Sequence, residues 1–428
     1  MTTDFLADLE QRGLVHQVSG PGLAALLRSE SVVAYIGFDP TADSLHVGNL
    51  VHLINLMRFQ RAGHRPIGLI GGGTGLIGDP SGKEDERILL TPEQLERNLA
   101  GIRAQVERFL DLGEGRAWLV NNAEWLCRLN YIEFLRDIGK HFSVNQMIMR
   151  DSVRARLETR ESGLSYTEFS YMLLQSYDFL ALYDRYGCRL QMGGSDQWGN
   201  ILSGADLIRR LRGVEAYALT TPLITRSDGR KFGKSEEGNI WLDPRRTSPY
   251  QFYQFWLNTD DRDVIRYLKT FTLLPLEQIR EAEQELAAAP EKRVAQRLLA
   301  QEVTRIVHGE EALARAEKAT AVLFAKDADF RELSEQELRE AFQGAPSSTL
   351  DPARLGTPDA SLVAVLAESG LYPSRGQARK DIPSGAISVN HVPTTDVNRV
   401  LTREDLLAGG FIILRKGKKH YHVLRVPT

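Results

Sequence analysis

Between residues 30 and 245 the chain alternates short apolar runs with helical stretches, and this restricts the fold more than any other feature. The runs VVAYIGF (32–38), RPIGLIGG (65–72), RAWLVNN (116–122), RLQMGG (189–194) and AYALTTPLI (216–224) have strand length. Strands that are apolar throughout belong to a sheet covered on both faces. The pattern therefore predicts an α/β fold built on a doubly wound parallel sheet. In such sheets ligands bind at the carboxyl ends of the strands.

One strand-to-helix turn of this kind is FDPTADSLHVGNL (38–50). The turn residues precede apolar residues at helical spacing, with Asp43 or Ser44 as the expected cap. The backbone N–H groups of such a turn face outward at the positive end of a helix dipole, which makes a general anion site. Gly48 in the first helical turn costs up to about 1 kcal/mol against Ala. A flat ring stacked on bare backbone would offset that cost.

From Ser248 the texture becomes helical. The stretch 290–309 has Pro at its start, Gly at its end, and Leu299, Val303 and Ile306 on one face. The Pro-, Ser- and Gly-rich stretch near 343–360 reads as a linker. A small mixed module follows, with helices in SLVAVLAESG and SRGQARKDI, a strand at 386–390 and a hairpin over 411–424 turning near Gly417. The expected domains are thus 1–247, 248–345 and 346–428.

The net charge of −3 hides an asymmetry. Residues 361–428 carry ten Lys/Arg and five Asp/Glu, or +5, which leaves −8 on the first 360. A basic module on an acidic body points to a polyanionic partner or to a merely solvated surface. Two cysteines, Cys127 and Cys188, suggest neither a disulfide framework nor a zinc site. No metal site is expected. The opening MTTDFLADLEQRG lacks the pattern of a signal peptide, and no apolar run spans a bilayer, so a cytoplasmic location is expected.

Three further motifs carry chemistry. Gly73-Thr-Gly-Leu-Ile-Gly78 matches G-x-G-x-x-G, but Asp79-Pro-Ser-Gly82 follows at once and opposes a helix there. These glycines instead suit a backbone that passes close to a ligand, with Asp79 beside it, or a plain turn. Lys231 and Lys234 in SDGRKFGKSEEGN suit a loop over phosphates, or a solvated charge run. Tyr171, Gln175 and Asp178 fall at i, i+4 and i+7 of a helix and share one face. If that face is buried, its polar groups either satisfy one another or hold a polar ligand.

Taken together, YIGFDPTADSLHVGNL (35–50), GGGTGLIGDPSGK (71–83), YMLLQSYD (171–178), GGSDQWGN (193–200) and KFGKS (231–235) resemble the bacterial-type tyrosyl-tRNA synthetases, class I aminoacyl-tRNA synthetases. The segment 372–390 resembles the RNA-binding module of those enzymes. The resemblance covers essentially the whole chain. It implies a Rossmann-like catalytic domain, an α-helical domain and a small α+β RNA-binding domain. It also implies tyrosine activation with ATP and Mg2+, transfer to tRNA(Tyr), and a homodimer.

By the same resemblance, Thr41, His46, Asn49, Lys83, Arg87, Lys231 and Lys234 would act on the polyphosphate. Asp39, Gly48, Gly194, Asp196 and Lys234 would meet the nucleotide. Asp79, Tyr171 and Gln175 would hold the substrate ammonium, Tyr35 and Asp178 its phenol, and Gln197 would lie near the reacting carboxylate. Three departures stand out: Asn49 replaces a histidine, Ile36 a polar residue of some relatives, and KFGKS lacks the usual Met and first Ser of the second signature. The rival readings are a tryptophanyl-tRNA synthetase, a noncatalytic RNA-binding protein on the same scaffold, and a nucleotidylyltransferase.

Overall fold

The computed structural model describes residues 4–79, 90–150, 153, 164–229, 232–235, 238–325, 328–417 and 420–427, with Lys234 and Ser235 by backbone alone. These form two compact units, 1–243 with 259–299, and 244–258 with 300–428.

The first unit is built on a six-stranded sheet. Its strands are β1 (Gln17–Val18), β2 (Val33–Phe38), β3 (Arg65–Ile70), β4 (Trp118–Asn121), β5 (Cys188–Gly194) and β6 (Tyr217–Thr221), in the order β1-β6-β5-β2-β3-β4. The five strands read from the sequence are mutually parallel, and β1 adds an antiparallel edge. The chain runs outward from β2 to β4, then returns to β5 on the other side of β2. The switch point therefore lies between β2 and β5. Pairing of these two strands stops at Tyr35 and Gln191, whereas β2 stays paired with β3 as far as Phe38. The carboxyl ends of β2 and β5 thus leave a crevice between them.

Two helices start at this crevice, Val47–Arg61 after β2 and Trp198–Arg212 after β5. A third, Tyr166–Tyr186, begins at Ser165, whose side chain accepts from Glu168 N–H, and ends at Gly187 in the left-handed conformation with φ +67°. It packs on the sheet through Phe179, Leu180 and Leu182, in a core that also holds Tyr35, Ile67, Cys188 and Ile208. A two-stranded ribbon, β7 (Lys234–Ser235) and β8 (Gly238–Asn239), lies near the end of the unit.

The cap of helix 47–61 differs from expectation. His46, not Asp43 or Ser44, is the N-cap: its Nδ1 accepts from Gly48 N–H at 3.0 Å, while Asn49 Oδ1 accepts from His46 N–H at 3.2 Å. Histidine does here what Ser or Asp usually does, because its ring folds back over a glycine. The G-x-G-x-x-G match opens only a single 3₁₀ turn, Thr74–Leu76, in keeping with the sequence argument.

The second unit holds helices Pro249–Leu257, Glu310–Phe324 and Glu335–Ala341 and a five-stranded sheet. Its strands are β9 (Ser347–Thr349), β10 (Ile387–Val389), β11 (Val392–Thr394), β12 (Phe411–Lys416) and β13 (His420–Arg425), ordered β11-β10-β12-β13-β9. The stretch read as a linker thus supplies β9, an edge strand parallel to β13. Ala319, Phe330 and Leu338 share a core with Phe411, Ile413 and Val423, so the helices and the sheet are joined through apolar packing. In helix Val294–His308 the buried face continues from Val303 to Val307 instead of Ile306.

Candidate functional site

The polar face of helix 166–186 is buried, and its three residues do not satisfy one another. Each reaches across the crevice to a different element. Asp178, 1% exposed, accepts from Asn122 Nδ2 at 2.9 Å and from Trp125 Nε1 at 2.7 Å, one donor on each carboxylate oxygen. Burial pushes its carboxyl up to about 7 against the opposing pull of those two bonds. Both donors come from the turn after β4, at the carboxyl edge of the sheet. Asn122 also donates to Thr74 Oγ1 at 2.9 Å, and Thr74 donates to Asp39 at 3.1 Å. Tyr171 donates to the other oxygen of Asp39 at 2.9 Å. One continuous chain therefore links Tyr171, Asp39, Thr74, Asn122 and Asp178.

Tyr35 points into the same region from β2. Its hydroxyl is buried and has no hydrogen-bond partner among the described residues, and neither does Oε1 of Gln191, its neighbour across β5. Burial, then the nearby Asp178 charge, raises the Tyr35 phenol well above its ordinary value, so it stays a neutral donor. Two orphaned buried groups beside a fixed acceptor are costly in a closed protein. The Tyr35 hydroxyl beside Asp178 suits a polar ligand.

A second chain runs along the other side. Asn200 donates to Gln175 Oε1 at 3.0 Å, Gln175 Nε2 to Gln197 Oε1 at 3.2 Å, and Gln197 Nε2 to Asp79 at 2.8 Å. Asp79, Gln175 and Gln197 are thus brought together as a row, with Asp196 3.4 Å from the same Gln197 nitrogen.

The start of helix 47–61 forms the remaining wall. A Cβ at Gly48 would fall 2.7 Å from His46 Cε1, so glycine is required there for the imidazole to lie over the first turn. Thr41 is exposed on the preceding turn. A Cβ at Gly194 would meet Asp196 at 2.5 Å and Leu223 at 3.4 Å. Lys234 enters β7 opposite Asn239. Lys83, Arg87 and Lys231 lie outside the described residues. No group of three or more His, Cys, Asp or Glu side chains able to hold a metal occurs among the described residues.

Comparison with known proteins gives this geometry a family. Residues 27–325 match the tRNA synthetases class I (W and Y). The chain belongs to this family. As a class I tRNA synthetase it also carries, over residues 337–424, a match to the tyrosine–tRNA ligase SYY-like C-terminal domain. A tyrosine–tRNA ligase of Roseiflexus castenholzii is 53% identical over 99% of this chain and 100% of its own length. One from Geobacillus stearothermophilus is 54% identical over 99% of both. Among solved structures, a C-terminally truncated mitochondrial tyrosyl-tRNA synthetase of Aspergillus nidulans superposes with a TM-score of 0.68 at 32% identity, covering 75% of this chain and 94% of its own.

Within this class I synthetase, sequence reasoning missed Thr74, Asn122, Trp125, Gln191 and Asn200. Asn122 and Trp125 carried one usable signal, since they follow directly on a strand's carboxyl end. Asn200 closes the GGSDQWGN motif that was singled out, and Thr74 lies inside GGGTGLIGD.

Proposed function

We propose that this chain is a tyrosine–tRNA ligase that joins L-tyrosine to ATP, giving tyrosyl-adenylate and pyrophosphate, and then passes tyrosine to the 3′-terminal ribose of tRNA(Tyr). The observation that carries the tyrosine assignment is the buried Asp178, held by two donors beside the orphaned Tyr35 hydroxyl. A substrate phenol would donate to Asp178 and accept from Tyr35, satisfying both. Phenylalanine would leave the Tyr35 hydroxyl unpaired and the buried Asp178 carboxylate without its third donor, which costs about 1–3 kcal/mol per group. An indole would have to fit the same point-like acceptor.

In this reading Asp79, Tyr171 and Gln175 hold the substrate ammonium, and Gln197 stands beside its carboxylate. That carboxylate attacks the α-phosphorus of ATP, a phosphorus–oxygen bond forms, and the bond to pyrophosphate breaks. The substrate supplies its own nucleophile, so the protein contributes positioning and charge stabilisation. Thr41, His46, Asn49, Lys83, Arg87, Lys231 and Lys234 serve the departing polyphosphate. Gly48, Gly194, Asp196 and Asp39 line the nucleotide side, although the bond from Tyr171 also ties Asp39 to the tyrosine side. Mg2+ arrives with ATP as part of that substrate.

The same reading divides the chain into a catalytic part to about 247, a helical part over 248–345 and a tRNA-binding part over 346–428. Arg375, Arg379 and Lys380, exposed on helix Arg375–Asp381, supply a basic face for tRNA. A homodimer fits the exposed apolar side chains Tyr131, Ile132, Val144, Met149 and Tyr166, which are 56–70% accessible. The cytoplasm is the proposed site of action. Among the described residues no helix is long and apolar enough to cross a membrane.

The test is ATP–pyrophosphate exchange with tyrosine, tryptophan or phenylalanine, without tRNA. Exchange with tyrosine alone supports the assignment. Exchange with tryptophan overturns the specificity, and none with any of the three favours a noncatalytic RNA-binding role.

A further inference from the structure

One helix, Asp261–Phe271, grips the segment that leads from the sheet towards Lys234. In its first turn Asp263 accepts both the N–H and the hydroxyl of Ser227, each at 3.0 Å. Tyr267 Oη donates to the Thr225 carbonyl at 3.2 Å, and Arg266 donates to the same carbonyl and, at 2.6 Å, to Asp263. Beyond Ser227 the grip becomes aromatic. The Phe232 ring lies nearly parallel to Phe271, with centroids 5.2 Å apart and planes at 14°, and edge-on to Tyr267 at 5.1 Å. Tyr267 and Phe271 stand one helical turn apart, are both buried, and meet edge-on with centroids 5.8 Å apart, so the three rings pack as a triangle with Phe232 against both.

The next residue touches the helix after β2. Gly233 has φ +79°, and a Cβ there would fall 2.9 Å from Val47 Cγ2 and 3.6 Å from Gly48 N. Its carbonyl accepts from Ile240 N–H at 3.0 Å, and the Ile240 carbonyl accepts from Val47 N–H at the same distance. The gripping helix is fastened to that same helix 47–61 at the far end. The Arg58 guanidinium donates to the carbonyls of Lys269, Thr270 and Thr272 at 2.7, 3.0 and 2.7 Å, and is itself held by Asn55 at 2.8 Å. The helix 261–271 is thus fixed to helix 47–61 by Arg58 and to the chain before Lys234 by Phe232.

We infer that Phe232 is a positioning residue of the activation step: packed against both Tyr267 and Phe271, it fixes where the chain at Gly233 and Lys234 crosses the first turn of helix 47–61. The inference rests on the activity proposed above, in which Lys234 serves the polyphosphate. A ring used only for stability would act on folding and on tyrosine binding alike. A positioning ring acts on the chemical step and acts through Lys234. Misplacement of a catalytic group by about 1 Å costs on the order of 10²-fold in rate.

Single-turnover adenylate formation, followed by stopped flow with the full chain, separates the two. Phe232→Ala is expected to slow the step about 10- to 100-fold. The tyrosine dissociation constant and the thermal midpoint should stay near those of the parent. Phe232→Leu, which still packs on both rings, should recover most of the rate. In a Lys234→Ala background, Phe232→Ala should cost little more. An unchanged rate in Phe232→Ala, an equal loss of tyrosine affinity, or an undiminished effect without the Lys234 ammonium would each overturn the inference. Failure of the parent protein to exchange pyrophosphate with tyrosine would instead remove the proposed activity itself.

Discussion

The two ends of the crevice are built from different materials. At the Asp178 end the groups sit on strand β2, the long helix 166–186 and the short turns and helix that follow β2, β3 and β4. Asp178, Asn122 and Tyr35 are each 1% exposed, and hydrogen bonds run without interruption from Tyr171 to Asp178. At the other end stand an exposed Thr41, an exposed Asp196, a half-buried His46 and a ribbon that brings in Lys234. The physical demand differs accordingly. Recognition of one neutral hydroxyl needs a desolvated acceptor already in place, since an unmatched analogue is rejected only if it leaves that acceptor unpaired. A polyphosphate carries several charges, and an end with exposed polar groups meets them without first desolvating a buried charge.

Damage at the two ends should therefore read out in different constants. The largest effect is expected from Lys234→Ala. On the role proposed for Lys234, adenylate formation should slow roughly 10²-fold or more, because a cation that stabilises developing charge would be lost. The tyrosine dissociation constant should stay within about twofold, since no member of the Asp178 chain is touched. Stopped-flow titration gives both numbers in one experiment, and a matching loss of tyrosine affinity would erase the distinction between the ends. Next in size is Asp178→Asn. Its amide would turn a donor towards either Asn122 or Trp125, so tyrosine affinity should fall roughly 10- to 100-fold. Discrimination against phenylalanine should shrink with it, and pyrophosphate exchange with both amino acids would measure this.

How far these features are legible in the sequence follows the range of the interactions that fix them. The five parallel strands were readable because continuous apolar runs are a local record of burial on both faces. The shared face of Tyr171, Gln175 and Asp178 was readable because helical periodicity places residues without reference to the rest of the chain. Its partners were not readable: whether Asn122, Trp125 or Thr74 meets Asp178 or Asp39 is decided by strand order. A histidine near a helix start is more often an N-terminal hydrogen-bonding group than a catalyst, and His46 is such a group; that it takes the cap from Asp43 or Ser44 depends on its ring lying over Gly48, which average capping preferences do not encode. β1 has two residues, and β9 is Ser-Ser-Thr, so neither has an apolar pattern of its own. Each is an edge strand ordered by the one strand it pairs with, β6 or β13.

The pH dependence of tyrosine binding sharpens the contrast further. Both Asp178 oxygens already accept an N–H, which suits the carboxylate to receive a third donor, the substrate phenol. With its carboxyl pushed up to about 7 by burial, the binding form declines as pH falls below that value. The apparent tyrosine dissociation constant should therefore be flat above about pH 7 and rise about tenfold per unit below it. Equilibrium dialysis across pH 5.5–8.5 checks this. Asp178→Asn should abolish the break, and a break that survives the substitution would belong to another group.

Trp125→Phe is the finest cut, because it keeps an aromatic ring while removing, with part of the indole, a single donor at 2.7 Å from Asp178. Asn122 still donates to the other oxygen, so Asp178 keeps half of its support. Tyrosine affinity at pH 8 should fall roughly threefold to tenfold, the worth of one net hydrogen bond. The direction of a second change is fixed independently. The lost bond was one of two forces holding the Asp178 carboxyl down against burial, so the pH break should move upward and the loss should grow towards neutral pH. Adenylate formation at saturating tyrosine should be nearly unchanged, because the indole acts on the phenol end alone. A rate loss without an affinity loss would show that the Asp178 end also governs the chemistry, and that the two ends of the crevice work as one.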